Sequence, residues 1–100
     1  MINFIKSLFA AGEKVNYKEL VNNGAIVLDV RTKGEFQSGH HKKAINIPLD
    51  QLAKNINKLK DKQKPIIACC ASGARSATAV HILKREGYTN VHNAGRWHNV

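Results

Sequence analysis

Two continuous apolar runs constrain the fold of this chain more than any other feature. "AIVLDV" at residues 25–30 and "PIIACC" at residues 65–70 are short, rich in β-branched residues and free of alternating polar positions. Such runs are typical of strands covered on both faces, because a strand with one wet face alternates polar and apolar residues. Helical patterns separate them from further short strands, which favours an α/β protein. We expect a three-layer α/β/α fold with a central, mostly parallel sheet of four to five strands.

Local signals place the other elements. Asn16 is a candidate cap for a helix that Gly24 ends, and Thr32 with Glu35 has the spacing of a capping box for a short helix that Gly39 ends. Strands are predicted at 44–47 and 88–94, and helices at 49–60 and 76–87. In the last helix Ala77, Val80 and Leu83 recur on successive turns.

Length and charge bound the function. One hundred residues suit a single domain over 1–100, with residues 1–14 a candidate helical extension. Sixteen Lys and Arg against seven Asp and Glu give a formal charge of +9, which favours anionic partners. No zinc-finger spacing or RNA-binding aromatic strand accompanies the charge, so we expect no nucleic acid partner. The segment "MINFIKSLFAAG" lacks the continuous apolar core of a signal peptide, and no run approaches the roughly 18 apolar residues of a membrane span. We therefore expect a cytoplasmic protein that does not bind membranes.

The two cysteines, Cys69 and Cys70, are adjacent at the end of an apolar run. A disulfide between neighbours needs a strained geometry, so this usage indicates a reducing compartment. Side chains alternate along a strand, which predicts that Cys69 points into the core if Cys70 points into the following loop. That Cys70 is itself only a packing residue remains an alternative, because buried free cysteine is common.

The loop after Cys70 contains mostly small residues: Ala71, Ser72, Gly73, Ala74 and Arg75. A tight turn of this kind, leading into a helix, directs successive amides towards one point and forms an anion site. A thiol at its centre is stabilised as thiolate, with a pKa of roughly 3.5 to 7.5 in such environments against about 8.5 for a free cysteine. Arg75 is expected to serve both as a substrate-binding cation and as an anchor for the loop, since a cation at a helix start needs a compensating partner.

Three segments resemble the rhodanese family. They are "LDVRTKGEFQSGHHKKAINIPL" at 28–49, "CASGARS" at 70–76 and "LKREGYTNVHNAGRW" at 83–97, and together the likeness covers residues 15–97. The resemblance implies a rhodanese-like fold and a sulfurtransferase that moves sulfane sulfur from an anionic donor such as thiosulfate to a thiophilic acceptor, cyanide, a thiol or a protein. By this resemblance Cys70 carries the sulfur as a persulfide, Ala71 to Arg75 bind the donor, and no cofactor is required.

Other functions remain open beside sulfur transfer. The domain is alternatively a non-catalytic or weakly catalytic sulfur carrier or protein-binding module. A phosphatase or arsenate reductase is a weaker alternative. Relatives with those activities look to have a loop one residue longer than the six residues from Cys70 to Arg75 in this chain.

The remaining polar candidates have structural explanations. Asp29, Arg31 and Glu35 are predicted to form a supporting network that pins the loop rather than to take part in chemistry. The pair His40–His41 has no further ligand at metal spacing, so no metal site is expected.

Three positions depart from the family pattern. His41 replaces a usual aliphatic residue, while Lys43 and Arg96 stand where glycines are common. A lysine forced to a positive φ costs about 1 kcal/mol, so we expect a strained or mobile segment at 40–44 with its positive charge near the pocket.

Overall fold

The computed structural model describes residues 15–100 and contains a four-stranded, all-parallel sheet, as predicted. The strands are β1 (Ile26–Asp29), β2 (Ala44–Asn46), β3 (Ile66–Cys70) and β4 (Val91–Arg96), in the order β2-β1-β3-β4. The helices are α1 (Tyr17–Asn22), α2 (Lys33–Ser38), α3 (Leu49–Asn55) and α4 (Ala74–Arg85), with 3-10 turns at Ile56–Lys58 and Trp97–Asn99. The candidate extension at residues 1–14 lies outside the described residues.

Each face of the sheet has its own apolar core, and this confirms the three-layer arrangement. One core joins strand residues such as Leu28 and Ala68 to Leu52 of α3 and Leu83 of α4. The other consists of Val27, Ile67, Cys69 and Ala94, against which residues of α1 and the aromatic ring of Trp97 pack. All five residues of β3 are buried, because β3 lies inside the sheet and both of its faces are covered.

Local capping signals predict the short helices well. The Asn16 side chain accepts a hydrogen bond from the Glu19 amide at 3.0 Å and begins α1. Thr32 and Glu35 form the predicted capping box at the start of α2, in which each side chain bonds the backbone of the other residue. These bonds join residues three apart in sequence, so short-range chemistry determines them.

The last helix and strand differ from the prediction. Helix α4 begins at Ala74, two residues early, and it buries Ser76, Ala79 and Leu83 while Ala77 is exposed. Treating Ala77 as part of an apolar face was therefore wrong, because a polar residue, Ser76, takes the inward position. Strand β4 occupies Val91–Arg96 and not 88–94, since Val91 is the first residue to pair with Ile66 of β3.

A bulge in β4 brings two glycines together. Asn93 pairs with Ala68 and Gly95 with Cys69, so Ala94 is the extra residue of the bulge. Gly95 has φ +77° and Gly73, at the start of α4, has φ +101°. A Cβ on Gly73 would lie 3.3 Å from the Gly95 Cα, so the two backbones approach each other where neither residue has a side chain.

The segment 40–44 is not strained as expected. Within residues 15–100 no residue other than glycine has a positive φ, so Lys43 adopts an ordinary conformation. The turn closes through a hydrogen bond from the Ala44 amide to the His41 carbonyl at 2.9 Å. The His41 ring accepts a bond from the Lys43 amide at 3.1 Å, so one of its two nitrogens has a backbone partner.

Among residues 15–100, no helix has both the length and the apolar character needed to cross a bilayer.

Two glycine substitutions test the close approach of the loop and β4. We expect Gly73→Ala to lower the free energy of unfolding by at least about 1 kcal/mol, because alanine disfavours a positive φ and its Cβ would press on Gly95. Gly34→Ala is the matched control, since open space surrounds Gly34 in α2, and it should be neutral or stabilising by up to about 1 kcal/mol. Urea unfolding measures both, and equal effects would contradict the assignment.

Candidate active site

The sulfur of Cys70 lies at the carboxyl end of β3, inside the turn that leads into α4. The Gly73 amide donates to Sγ at 2.9 Å and the Ser76 amide at 3.4 Å, while the Ser76 hydroxyl is 3.3 Å from it. These donors come from the loop and from the first turn of a twelve-residue helix, where backbone N–H groups lack helical partners. The sequence-predicted convergence of amides on Cys70 is therefore present.

The environment favours a negative charge on this sulfur. Burial raises the pKa of the Cys70 thiol, but hydrogen bonds from the Ser76 hydroxyl and from the amides of Ser76, Gly73 and Ser72 outweigh it, so the pKa lies below its ordinary value. The first two residues of the loop, Ala71 and Ser72, are exposed. The turn that encloses the sulfur is therefore exposed to solvent at these two residues.

Cys69 lies on the opposite face of the sheet, as strand alternation predicts. It packs with Val27, Ile67 and Ala94, whereas Cys70 belongs to the core on the other face. Burial and the nearby Asp29 carboxylate raise the pKa of Cys69 to about 12. Cys69 is therefore a neutral packing residue, and the pKa values of the two neighbouring thiols are shifted in opposite directions.

Cys70 nevertheless has no exposed surface, since its relative accessibility is 0%. Its hydrogen bond from the Gly73 amide places the sulfur inside the turn, while its side chain also belongs to the apolar core, so burial alone does not decide between a functional and a packing role. A donor molecule cannot touch Sγ in this conformation. Approach to the sulfur therefore requires the loop at 71–73 to open.

Arg75 anchors the loop to α2 through a two-pronged ion pair. Its Nη1 and Nη2 atoms donate to the two carboxylate oxygens of Glu35 at 2.7 and 3.0 Å. Glu35 also accepts bonds from the amide and hydroxyl of Thr32, at 3.1 and 3.0 Å. The Arg75 hydrogen bond and the Thr32 bonds lower the pKa of Glu35 from 4.5 to about 2. The negative carboxylate supplies the compensating partner that the cation at the start of α4 requires.

Asp29 and Arg31 form a second, buried ion pair. The Arg31 Nη2 atom lies 2.7 Å from the Asp29 carboxylate and 2.6 Å from the Gly39 carbonyl oxygen, and the guanidinium lies 5.0 Å from the centre of the Trp97 ring. The hydrogen bond to Asp29 raises the pKa of Arg31. The predicted network of Asp29, Arg31 and Glu35 thus consists of two separate pairs, because Glu35 bonds Arg75 and Thr32.

Several hollows have room for a ligand, and one of about 420 Å³ is lined by Lys33, Phe36, Gln37, Asn46, Pro48 and Gln51. One of about 310 Å³ is lined by Arg75 together with Val30, Thr32, Pro48, Leu49 and Asp50, and so adjoins the loop. Another of about 270 Å³ is lined by Lys18, Val21, Asn22, His41, Lys42, Lys43 and Val100. The basic residues Lys42 and Lys43 line this hollow of about 270 Å³, whereas Arg75 lines the hollow of about 310 Å³ beside the loop.

The adjacent histidines are engaged separately. The His40 ring stacks on Phe36 with centroids 3.7 Å apart, and its Nδ1 lies 2.6 Å from the Phe36 carbonyl oxygen. His41 instead bonds the Lys43 amide. Within residues 15–100, no three side chains of His, Cys, Asp or Glu are grouped as metal ligands.

Two residues of the site were missed from the sequence, Ser76 and Asn93. Ser76 belongs to the quoted "CASGARS" segment, but only the fold shows that its hydroxyl faces Sγ. Asn93 reaches Ser76 from β4, with its Oδ1 atom 2.6 Å from the Ser76 Oγ. The Asn-Ala-Gly order of residues 93–95 is a weak signal for a side chain that bonds the amide two residues on.

Comparisons with known proteins agree on one family. Residues 14–94 match the model of a family described as a rhodanese-like domain. "Thiosulfate sulfurtransferase PspE" of Escherichia coli is 39% identical over 69 residues, covering 68% of this chain and 66% of that protein. "Putative sulfur carrier protein YrkF" of Bacillus subtilis is 34% identical over 87 residues, covering 87% of this chain and 44% of that protein. The chain thus spans about half to two thirds of the length of these curated relatives. The solved structure "rhodanese with anions from E. coli" superimposes with a TM-score of 0.72 at 35% identity, covering 77% of this chain and 92% of that one.

The two cysteines should differ in reactivity. At about pH 8 a thiol with a pKa near 12 is ionised in roughly one molecule in 10⁴, so Cys69 should resist alkylation in the folded protein, whereas Cys70 should react when the loop at 71–73 opens. Peptide mass spectrometry after treatment with iodoacetamide locates the label, and in urea both residues should be labelled. Labelling of Cys69 before Cys70 in the folded protein would contradict the assignment.

The ion pair between Glu35 and Arg75 should make stability depend on acid pH. The pKa of Glu35 is lower in the folded protein than the ordinary 4.5, so its stabilising contribution is full above about pH 4.5 and is lost as the pH falls towards 2. Glu35→Gln removes this contribution, and its free energy of unfolding should fall less steeply between about pH 5 and pH 3 than that of the wild type. Urea unfolding at a series of pH values measures the slopes.

The control for this experiment is Glu86→Gln. Within residues 15–100 the ion pairs are Arg31–Asp29 and Arg75–Glu35, so Glu86 takes part in neither. It should keep the wild-type slope, and a Glu35→Gln slope equal to that of the wild type would show that the pair contributes nothing.

Proposed function

The chain belongs to the rhodanese-like domain family, and on that premise we propose that it is a sulfurtransferase whose Cys70 sulfur carries the transferred atom as a persulfide. The observation that supports this most is the convergence of the Gly73 and Ser76 amides on Sγ. Sulfur transfer needs a nucleophile that is ionised near neutral pH, and these amides favour the thiolate.

The proposed donor is an anion with a sulfane sulfur, such as thiosulfate. The Cys70 thiolate attacks the outer sulfur, a bond forms between Sγ and that atom, and the bond to the sulfonate sulfur breaks with its electron pair leaving on sulfite. The outer sulfur of the resulting persulfide is negatively charged, and the Gly73 and Ser76 amides are placed to donate to it once the loop adjusts.

The second half of the reaction returns the enzyme to its first state. A thiophilic acceptor, cyanide or a thiol of a small molecule or protein, attacks the outer sulfur. The bond between Sγ and that sulfur breaks, and its electron pair regenerates the Cys70 thiolate. Neither half needs a metal or an organic cofactor, because the sulfur atoms supply both the nucleophile and the leaving group. Thiolate chemistry of this kind suits a reducing compartment, which for this chain we take to be the cytoplasm.

The charge of the chain supports an anionic donor. The formal +9 attracts anions generally, and a related solved structure is described as a rhodanese with anions. Ala71 to Arg75 are proposed as the donor-binding loop. Because the Arg75 guanidinium is already hydrogen-bonded to Glu35, we assign Arg75 mainly to anchoring the loop. The backbone amides of residues 71–74 are then the groups that bind the donor. Asp29, Arg31 and Glu35 support this site without touching the sulfur.

A sulfur carrier with little turnover is the second candidate, and the burial of Cys70 favours it. A sulfur with 0% accessibility suits slow loading and protected storage, and a relative is described as a putative sulfur carrier. A phosphatase is a weaker proposal, because the phosphatase relatives that this chain resembles have a loop one residue longer than its six residues from Cys70 to Arg75.

Intact-mass measurement tests persulfide formation. After incubation with thiosulfate and removal of excess donor, the wild type should gain the mass of one sulfur atom. Cys70→Ser should gain nothing, because it lacks the attacking sulfur, and Cys69→Ala should gain the same mass as the wild type, because Cys69 lies on the other face of the sheet.

Turnover separates the enzyme from the carrier. Production of thiocyanate from thiosulfate and cyanide should be faster for the wild type than for Cys70→Ser by at least about 100-fold. Mass gain without turnover would favour the carrier, and equal mass gain in Cys70→Ser would contradict both proposals. An aryl phosphate should not be hydrolysed.

A further inference from the structure

The Ser76 hydroxyl stands between three acceptors and has one proton. Its Oγ lies 2.6 Å from Asn93 Oδ1, 3.2 Å from the Gly73 carbonyl oxygen and 3.3 Å from Cys70 Sγ. A serine hydroxyl donates one hydrogen bond at a time, although it can accept others. The direction of that single donor decides whether Cys70 faces a proton or a lone pair.

The neighbours of Asn93 fix which way its amide points. The Gly95 amide donates to Oδ1 at 2.8 Å, and Nδ2 lies 3.3 Å from the Gly73 carbonyl oxygen, to which it donates. A backbone N–H cannot face the side-chain NH₂ group, so the atom nearest Ser76 is the oxygen. Because that oxygen only accepts, the Ser76 hydroxyl must donate to it, and the Ser76 lone pairs then face Cys70.

Asn93 is held in place although it is exposed. The Tyr17 hydroxyl of α1 donates to its backbone oxygen at 3.3 Å, and the bulge of β4 with the positive φ of Gly95 folds its side chain back towards α4. Each polar group of the Asn93 side chain therefore has a partner in the site, which a solvated surface residue would not need.

We propose that Asn93 is a positioning residue that accepts the hydrogen bond of the Ser76 hydroxyl while Cys70 is a neutral thiol. When the sulfur becomes negative, the hydroxyl breaks this bond and donates to Sγ instead. With the thiol, Cys70 donates to the Ser76 oxygen and Ser76 donates to Asn93. With the thiolate, the hydroxyl rotates about its Cβ–Oγ bond and donates to Sγ, while the Gly95 amide still satisfies Asn93 Oδ1. The only proton lost is that of Cys70, which passes to solvent. As a role in sulfur transfer this rests on the function proposed above.

Few charges face the sulfur from the elements packed around it. On β3 the neighbour is Cys69, which its raised pKa of about 12 keeps neutral. On α4 the Arg75 guanidinium lies close enough to interact electrostatically with Cys70, but the Glu35 carboxylate of α2 balances its charge. From β4 the uncharged Asn93 approaches the Ser76 hydroxyl, and the same strand carries the cation of Arg96, whose residue is the register partner of Cys70. The direction of the Ser76 proton is therefore a large part of what sets the charge on Cys70.

A double-mutant cycle on the Cys70 pKa tests the proposal. The pKa is read from the ultraviolet absorbance of the thiolate against pH, with Cys70→Ser subtracted as the blank. Asn93→Ala leaves Ser76 free to donate to sulfur, so the pKa of Cys70 should fall by about one unit, a tenfold increase in ionised fraction at a given pH. Ser76→Ala removes the donor, and the pKa should rise. In the Ser76→Ala background, Asn93→Ala should produce no further shift.

The cycle distinguishes this role from a merely structural one. Asn93 also bonds the Gly73 carbonyl, so loss of that bond would move the amides and shift the pKa equally in both backgrounds. Equal shifts, or a rise in the pKa on Asn93→Ala, would overturn the proposal. Asn90→Ala is the control, because Asn90 bonds the His92 ring and should leave the Cys70 pKa unchanged.

A second substitution keeps the test sound if Asn93→Ala fails to fold. Asn93→Asp retains an acceptor for Gly95 and Ser76 and holds the proton more strongly, so it should raise the Cys70 pKa more with Ser76 present than with Ser76→Ala. Equal increases would overturn the proposal. No sulfur donor is present in any of these titrations, so their result is independent of whether the persulfide forms.

Discussion

The turn between β3 and α4 is folded around one sulfur atom, and much of the described structure serves to hold that turn. Its amides point inwards at Cys70 because Gly73 adopts a positive φ that places its N–H 2.9 Å from Sγ. The turn can sit so close to β4 because Gly73 has no side chain, since a Cβ there would lie 3.3 Å from the Gly95 Cα. Arg75 then fastens its far end to α2 through Glu35. A dense set of inward amides is costly without a partner, and the sulfur provides one acceptor for them.

The sheet determines where this turn is built. Parallel strands carry their loops to one edge, so the ends of β1 and β3 lie side by side, with Asp29 paired to Cys69 in the register. The end of β1 carries the buried ion pair of Asp29 and Arg31, in which breaking one partner would cost about 3 to 5 kcal/mol because a charge would be left unpaired. Its contacts with Gly39 and Trp97 connect the loop after α2 to the carboxyl-terminal turn. This pair stiffens the edge next to the sulfur site without facing the sulfur.

Sequence reasoning recovered what depends on near neighbours and on burial of whole strands. The capping of α1 and α2, the apolar strands β1 and β3, and the opposite orientations of Cys69 and Cys70 follow from spacing alone. What it missed depends on contacts between distant residues. The Arg75–Glu35 pair joins positions 40 apart, and the Ser76–Asn93 bond joins positions 17 apart.

Two errors have the same physical origin. A polar Ser76 on the buried face of α4 is stable only because Asn93 and Gly73 supply partners, and neither partner can be recognised from the helix itself. The cost expected at Lys43 assumed that its turn needs a left-handed residue, whereas the bond from Ala44 to His41 closes the turn with ordinary backbone angles. In both places the tertiary partners of a residue, and not its side-chain type alone, decide whether its position is stable.

The placement of Cys69 and Cys70 on opposite faces also bears on oxidative damage. A cysteine that peroxide converts to a sulfenic acid is protected from further oxidation when a second thiol condenses with it. Here the adjacent thiol is separated by the strand itself and is un-ionised, and the chain contains two cysteines in all. An oxidised Cys70 therefore depends for its repair on a thiol that lies outside residues 1–100, and the closed turn above it is the first barrier between peroxide and the sulfur.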